Sequence, residues 1–370
     1  SAPTVELGDG DAYISADEIT GGKVTVTVKL PGDAVAGDTV KGLDEDIVLT
    51  EADITAGEVT GTVDAPQHGE TLDVSVTLTD VAGNTGPAGT ASATVDTEAP
   101  NDSSTQIVIN DITDDNTINK AESEEHVAIT GKVTGEFTEG DMVTVTVNGV
   151  AKTGAVNADG TFSVDVAGSD LAQDTRVEVT VAATDAAGNL GSVTASKDYL
   201  VDTTGPSTGD GQNSIAFDDG GDELLSADEA QSVTLSGQVE AGATIVSIVI
   251  TDSASNSITV DANDISVDAS GAVTVTGQDL SSLSDGHITV TMALKDEAGN
   301  SGAVTDTTVL DQTPPVVNLD DVLTNDATPE LSGTIDDKDA TITVTVDGVD
   351  YSATNNGDGT WTLADDSLPT

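Results

Sequence analysis

Cysteine is absent from the 370 residues, which excludes disulfide staples, thiolate nucleophiles and cysteine-held metals. Aromatic side chains are nearly absent too, with one Trp, three Tyr and three Phe. That leaves too few to build the ring platforms on which sugar-binding modules and glycosidases rely. Basic residues are scarce: ten Lys and Arg stand against 67 Asp and Glu, for a net charge of −57. Such a surface repels nucleic acid and anionic membranes. No apolar run approaches a membrane span, and the first residues lack the basic-then-apolar signal pattern. The chain therefore reads as a soluble internal segment, a monomer without membrane insertion, whose targeting signal lies elsewhere. His68, His126 and His287 fall in three different parts of the chain, and no recurring Ser or Asp accompanies them. They read as surface residues. With no convergent catalytic groups, and with 67 acids making chance carboxylate pairs inevitable, nothing marks an enzyme.

High charge with few aromatics would ordinarily mean disorder, but the apolar residues are patterned. Val24, Val26 and Val28 alternate with threonine, as do Val143, Val145 and Val147, and Ile342, Val344 and Val346. Val177, Val179 and Val181 follow the same period. Period two with β-branched residues predicts strands that bury one face. Asn148-Gly149 and Asp347-Gly348 lie between such runs as two-residue hairpin turns, and Asp159-Gly160 and Asp358-Gly359 mark further turns. No helical period of useful length appears. Short strands with turns every eight to twelve residues predict all-β, immunoglobulin-like sandwiches.

The pattern repeats. D-x-A-G-N occurs at Asp80–Asn84, Asp185–Asn189 and Asp296–Asn300, in steps of 105 and 111 residues. A proline-ending string follows each copy: Val95-Asp96-Thr97-Glu98-Ala99-Pro100, Val201-Asp202-Thr203-Thr204-Gly205-Pro206 and Leu310-Asp311-Gln312-Thr313-Pro314-Pro315. The period suits one sandwich and is too long for a solenoid. With linkers at these strings, repeats run 1–99, 100–205 and 206–314 in an elongated array. A fourth, 315–370, lacks the last two strands of the second and is expected to expose a strand edge. Three full units would extend on the order of 100 Å.

A chain patterned to fold yet so over-charged implies a missing cation, and aspartate-rich loops point to Ca²⁺, which takes oxygen ligands. The alternative is the acidic surface of a halophile, but here the acids recur at fixed places. Aligned on Ile14, Ile118 and Leu225, three loops place Asp three residues before and Glu four residues after. The string is not an EF-hand, since it lacks that loop's glycine and flanking helices. Sandwich topology brings the loop and linker of one repeat to the D-x-A-G-N turn of the next. The first junction would gather Asp9, Asp11, Glu18, Asp96, Asp185 and Asn189. The second would gather Asp111, Asp115, Glu122, Asp202, Asp296 and Asn300. At the third would be Asp218, Asp222, Glu229 and Asp311, while Asp80 and Asn84 would face an upstream repeat. The competing reading of D-x-A-G-N is a tight turn in which Asp and Asn bond only the backbone.

D-x-A-G-N, V-D-x-T-x-P and D-x₂-I-[NS]-x₂-E, on a period near 105, together resemble the bacterial immunoglobulin-like extender repeats of giant RTX adhesins of the biofilm and ice-binding kind. The resemblance covers essentially the whole chain. It implies an extracellular, cell-surface spacer exported by type I secretion. Calcium between repeats would stiffen the array, and other domains of the parent protein would hold the surface ligand. Its partners would be the neighbouring repeats of its own chain. Departures occur in the third repeat, where a longer stretch from Asp252 to Ile258 replaces V-N-G-V, and in the fourth, where Asn325 and Asp326 are the only close counterparts of the acidic loop. A direct sugar- or protein-binding module is the alternative; it would show an exposed aromatic cluster or an irregular insertion, and neither occurs in the first three repeats. Trp361 aligns with Phe162 as a core residue. Ice binding by this segment would need a flat threonine face on a solenoid, whereas its threonines follow sandwich alternation.

Overall fold

The computed structural model describes residues 1–368. Strand makes up 49% and helix 7%, so the chain is all-β. Its contacts fall into two units, one of Ser1–Thr204 with Ala298–Asn300 and the other of Gly205–Glu297 with the chain from Ser301 onward. Each holds two separate apolar cores among its described residues.

In the first unit, alternation does what the sequence leads one to expect. Val24, Val26 and Val28 of Lys23–Lys29 are fully buried, while the residues between them are not. That strand pairs antiparallel with Thr4–Leu7 and Glu58–Asp64. The facing sheet runs Tyr13–Ile14, Gly89–Val95, Thr71–Thr79, Thr39–Lys41, Ile47–Val48. The following sandwich has Thr105–Ile109, His126–Gly135 and Thr161–Ala167 on one side, and Val150–Ala155, Met142–Val147, Arg176–Thr184 and Leu190–Asp198 on the other. Asn148 and Gly149 both have positive φ, 50° and 73°, as the hairpin turn between Met142–Val147 and Val150–Ala155 requires. Tyr199 is buried, and its hydroxyl donates to the Leu171 carbonyl at 2.8 Å. This tie pins the end of the short helix Gly168–Leu171 to the residue just before Leu200–Val201, and burial pushes the phenol pKa up.

The opening strand of each sandwich is split. Thr4–Leu7 belongs to one sheet, then Tyr13–Ile14 crosses to the other and runs parallel to Gly89–Val95. Thr117–Ile118 does the same beside Leu200–Val201, and in the second unit Leu224–Ser226 beside Ser301–Asp311. The acidic loop is the crossover. Ile14, Ile118 and Leu225, the residues on which the three loops align, are buried. They anchor the crossover in the core.

Another shared contact involves glycine. Cβ atoms built at Gly89, Gly191 and Gly302 would lie about 2 Å from the carbonyl oxygens of Pro3, Pro100 and Pro206. The last strand and the proline that opens the same repeat thus approach backbone to backbone, which only glycine allows.

The second unit repeats the two-sheet plan with Ser214–Phe217, Val233–Gln238, Ala272–Gln278 and Ile265–Val267 against Leu224–Ser226, Ser301–Asp311, Gly286–Lys295, Thr244–Asp252 and Ser257–Thr259. The stretch after Asp252 that replaces V-N-G-V is another Asp-Asn turn. Asp252 accepts from the Ala254 and Asn256 backbone and from the Asn256 amide, with Ser255 at φ 69° where D-x-A-G-N has glycine. The remaining strands form a single five-stranded sheet, Val317–Leu319, Leu331–Ile335, Thr360–Leu363, Val349–Asn355, Ile342–Val346. Its small core holds Ile335, Ile342, Trp361 and Leu363.

Candidate functional site

Each acidic crossover and the linker beside it are fixed by carboxylates at the same three positions. Asp11, Asp115 and Asp222 accept the backbone N–H two residues on, at 2.7, 2.9 and 3.2 Å. Glu18, Glu122 and Glu229 reach back to the N–H of Ser15, Asn119 and Ser226, at 2.8, 3.0 and 2.8 Å. In the linkers, Asp96, Asp202 and Asp311 accept from the N–H of Glu98, Thr204 and Thr313, at 3.3, 3.1 and 3.1 Å. Glu18 also takes the Asp9 N–H with its other oxygen. The Ser226 N–H and hydroxyl hold Glu229 below the usual carboxylate range. For Glu18, burial pushes the pKa up, but the Ser15 and Asp9 bonds outweigh it and the net shift is down. Both side chains therefore stay anionic.

Crossover and linker meet directly. The Asp96 N–H donates to the Ile14 carbonyl at 2.9 Å, and the Asp202 N–H to the Ile118 carbonyl at 3.0 Å. The parallel pairing of the split strand with the last strand forces this approach. Two other predicted acids are engaged away from the linkers: Asp111 pairs with Lys197 at 2.6 Å, and Asp218 accepts from the Ser236 hydroxyl. Asp296 falls in the second unit.

The downstream turn comes to the first junction as well. Asp185 is buried and accepts from the N–H of Ala187 and Asn189 and from the Asn189 amide. Asn189 then reaches out of its turn: its amide oxygen accepts the Ala16 N–H at 3.0 Å, and its amide nitrogen donates to the Asp96 carbonyl at 2.9 Å. Asn300 makes the same pair of bonds, with the Lys120 N–H at 2.7 Å and the Asp202 carbonyl at 2.9 Å. Sequence reasoning grouped both with the acids as metal ligands, and did not foresee these bonds. It also missed His68, whose Nδ1 accepts the Thr97 N–H and lies 3.4 Å from Asp96.

At the upstream pole of the first repeat, Asp80 and Asn84 form the same turn, and the Asn84 amide holds the Asp80 carboxyl below its usual range. The turn lines a cleft with Asp33 and Asp38. Asp38 is buried, and its Oδ1 has no hydrogen-bond partner among the described residues. A buried carboxylate oxygen left this way is costly unless a cation meets it. The donor set here, carboxylate and amide oxygens, is the one calcium takes. In the second unit, Asp311 shares an open cleft with Asp336, Asp337 and Asp339, acids that the reading of the fourth repeat did not single out. The D-D-x-D run just past a strand was the available signal. Among the described residues, no three acidic or histidine side chains stand close enough to form a ready-made metal cluster. Among the described residues, no helix is long and apolar enough to cross a membrane.

No family model matches the chain, and no curated protein matches it. Solved structures do. One, of a Ca²⁺-stabilised adhesin that helps an Antarctic bacterium reach out and bind ice, is 31% identical with a TM-score of 0.52, covering 98% of this chain and 90% of that one. Another, concerned with host cell surface retention of a 1.5-MDa bacterial ice-binding adhesin, is 27% identical with a TM-score of 0.56, covering 85% and 99%. A single immunoglobulin-like domain of the M. primoryensis ice-binding adhesin is 46% identical over 26% of this chain and 96% of its own length, with a TM-score of 0.26. The shared β-sandwich plan and the 31% identity over nearly the full length of both chains place this protein in the family of tandem immunoglobulin-like repeats of large bacterial adhesins.

Proposed function

We propose that this chain is a calcium-stiffened spacer of a bacterial surface adhesin, made of repeats at 1–99, 100–205, 206–314 and 315–370, and that it performs no catalysis. Its work is mechanical: to hold a ligand-binding part of the same adhesin away from the cell, outside it. The observation that carries this reading is the threefold recurrence of the same pinned carboxylates, Asp11, Glu18 and Asp96 in the first repeat, in a chain of net charge −57. Acids carried by crossover and linker repel one another until a cation neutralises them. The adhesin that resembles this chain at 31% identity is described as Ca²⁺-stabilised, which supports calcium as that cation.

The ion would be held at the first junction by Asp9, Asp11, Glu18, Asp96 and Asp185, and at the second by Asp115, Glu122 and Asp202 with Asp111. At the third it would be held by Asp222, Glu229 and Asp311 with Asp218, and at the upstream pole by Asp80 with Asp38. When bound it supplies positive charge that six to eight oxygens share, waters included. Asn84, Asn189 and Asn300 stand beside these acids with bonds of their own. Trp361 is buried in the last core and donates to the Asn318 carbonyl, so the single tryptophan is not available as a sugar platform.

Titration calorimetry with calcium, with thermal melting before and after chelation, tests the proposal. Several sites per chain and a lower melting temperature in chelator are expected. A chain that binds no calcium and melts identically in chelator would end this reading.

A further inference from the structure

We propose that the asparagine closing D-x-A-G-N is a metal-independent clasp between consecutive repeats, and that Asn189 closes it between the first and second. The inference goes beyond the calcium reading, since neither of its bonds involves a carboxylate.

The bonds are specific to an amide. Asn189 must accept from the Ala16 N–H and donate to the Asp96 carbonyl at once. A carboxylate cannot donate, and a hydroxyl is too short to span both. The seat is made of backbone alone: the N–H two residues past the buried Ile14 or Ile118, and the carbonyl of the linker aspartate. It therefore tolerates Ala16 in one copy and Lys120 in the other, while the asparagine is the same in both. The third repeat carries the corresponding backbone at Ala227 and Asp311. Any repeat with the Ile/Leu-[NS]-x₂-Glu crossover offers this seat to the turn of the repeat that follows.

Burial separates clasp from turn. Asn189 is 8% exposed and Asn300 4%, so the amide end of each bond is sheltered from competing water. Asn84 sits in the same turn and bonds Asp80 in the same way, but it is exposed, and among the described residues it bonds nothing outside its own turn. It is an internal control. Asn84→Ala removes the bond within the turn; Asn189→Ala removes that bond and both bonds of the clasp.

The test uses the full chain, which has no native cysteine to compete for label. Dyes on one introduced cysteine in each of the first two repeats give a distance distribution, recorded in chelator and in millimolar calcium. Hydrogen exchange is followed at the Ala16 amide. In chelator, Asn189→Ala should broaden the distribution and speed Ala16 exchange about tenfold, the worth of one hydrogen bond. Asn84→Ala should change neither, and calcium should not bring the Asn189→Ala chain back to wild-type width. Equal behaviour of the two variants overturns the proposal. So does recovery of Asn189→Ala in calcium to wild-type width, which would leave the amide no part in the joint that the metal does not supply. Loss of exchange protection through the whole second core would assign Asn189 to its own turn, again against the clasp. A wild-type chain indifferent to calcium would refute the stiffening proposal and leave the clasp standing.

Discussion

The side-chain amide nitrogen of Asn189 lies 2.9 Å from the backbone carbonyl oxygen of Asp96, though 93 residues separate them. The same nitrogen bonds the Asp185 carboxylate. One amide thus ties a linker to the turn of the next repeat, beside the carboxylates proposed to hold calcium. Metal and amide act on the same joint by different physics, one screened by salt and set by calcium concentration, the other by neither.

Asp96→Ala should weaken calcium binding at the first junction alone. Extracellular calcium modules bind at about 10⁻⁴ to 10⁻³ M, and a ligand at a hundred times its Kd adds about 2.7 kcal/mol to the folded state. Titration calorimetry should lose the binding of one junction. Melting in chelator should stay near that of the parent chain, because the Asp96 N–H to Ile14 bond belongs to the backbone and survives.

Tyr199→Phe keeps the ring in the core but strands the Leu171 carbonyl that the hydroxyl satisfies. The expected loss is about 1–2 kcal/mol in urea denaturation of the second repeat. Calcium binding should not change.

Gly191→Ala places a methyl group about 2 Å from the Pro100 carbonyl oxygen. Backbone must move, and a loss of about 2–4 kcal/mol is expected. Gly32, where an added methyl meets nothing within 4 Å, should accept alanine with little change. Chemical denaturation of both variants checks the contrast.

The Ser284 N–H and the Asn256 amide hold the Asp252 carboxyl below its usual range. A carboxylate whose folded pKa lies below its unfolded value, near 3.9, stabilises fully above that value and loses the effect as pH falls through the folded one. Denaturant midpoints of the third repeat should therefore decline as pH drops below about 4. Asp252→Asn should flatten that decline, as seen by circular dichroism across pH.

The sequence by itself determined the all-β class, the threefold recurrence of motifs and the buried face of each strand, because these follow from local period and turn chemistry. Val24, Val26 and Val28 could be placed inside without any structure, and Asn148-Gly149 could be read as a hairpin turn. So could the alignment on Ile14, Ile118 and Leu225, which proved to be the buried anchors of the crossovers. The tertiary structure alone decided what these elements touch. That Asn189 bonds Ala16 and Asp96, that Gly191 lies against Pro100, that Tyr199 caps Leu171 and that Asp111 turns to Lys197 leave no periodic trace. Each joins residues distant in the chain, and the partner is often a backbone atom, which every residue carries and no side-chain code announces.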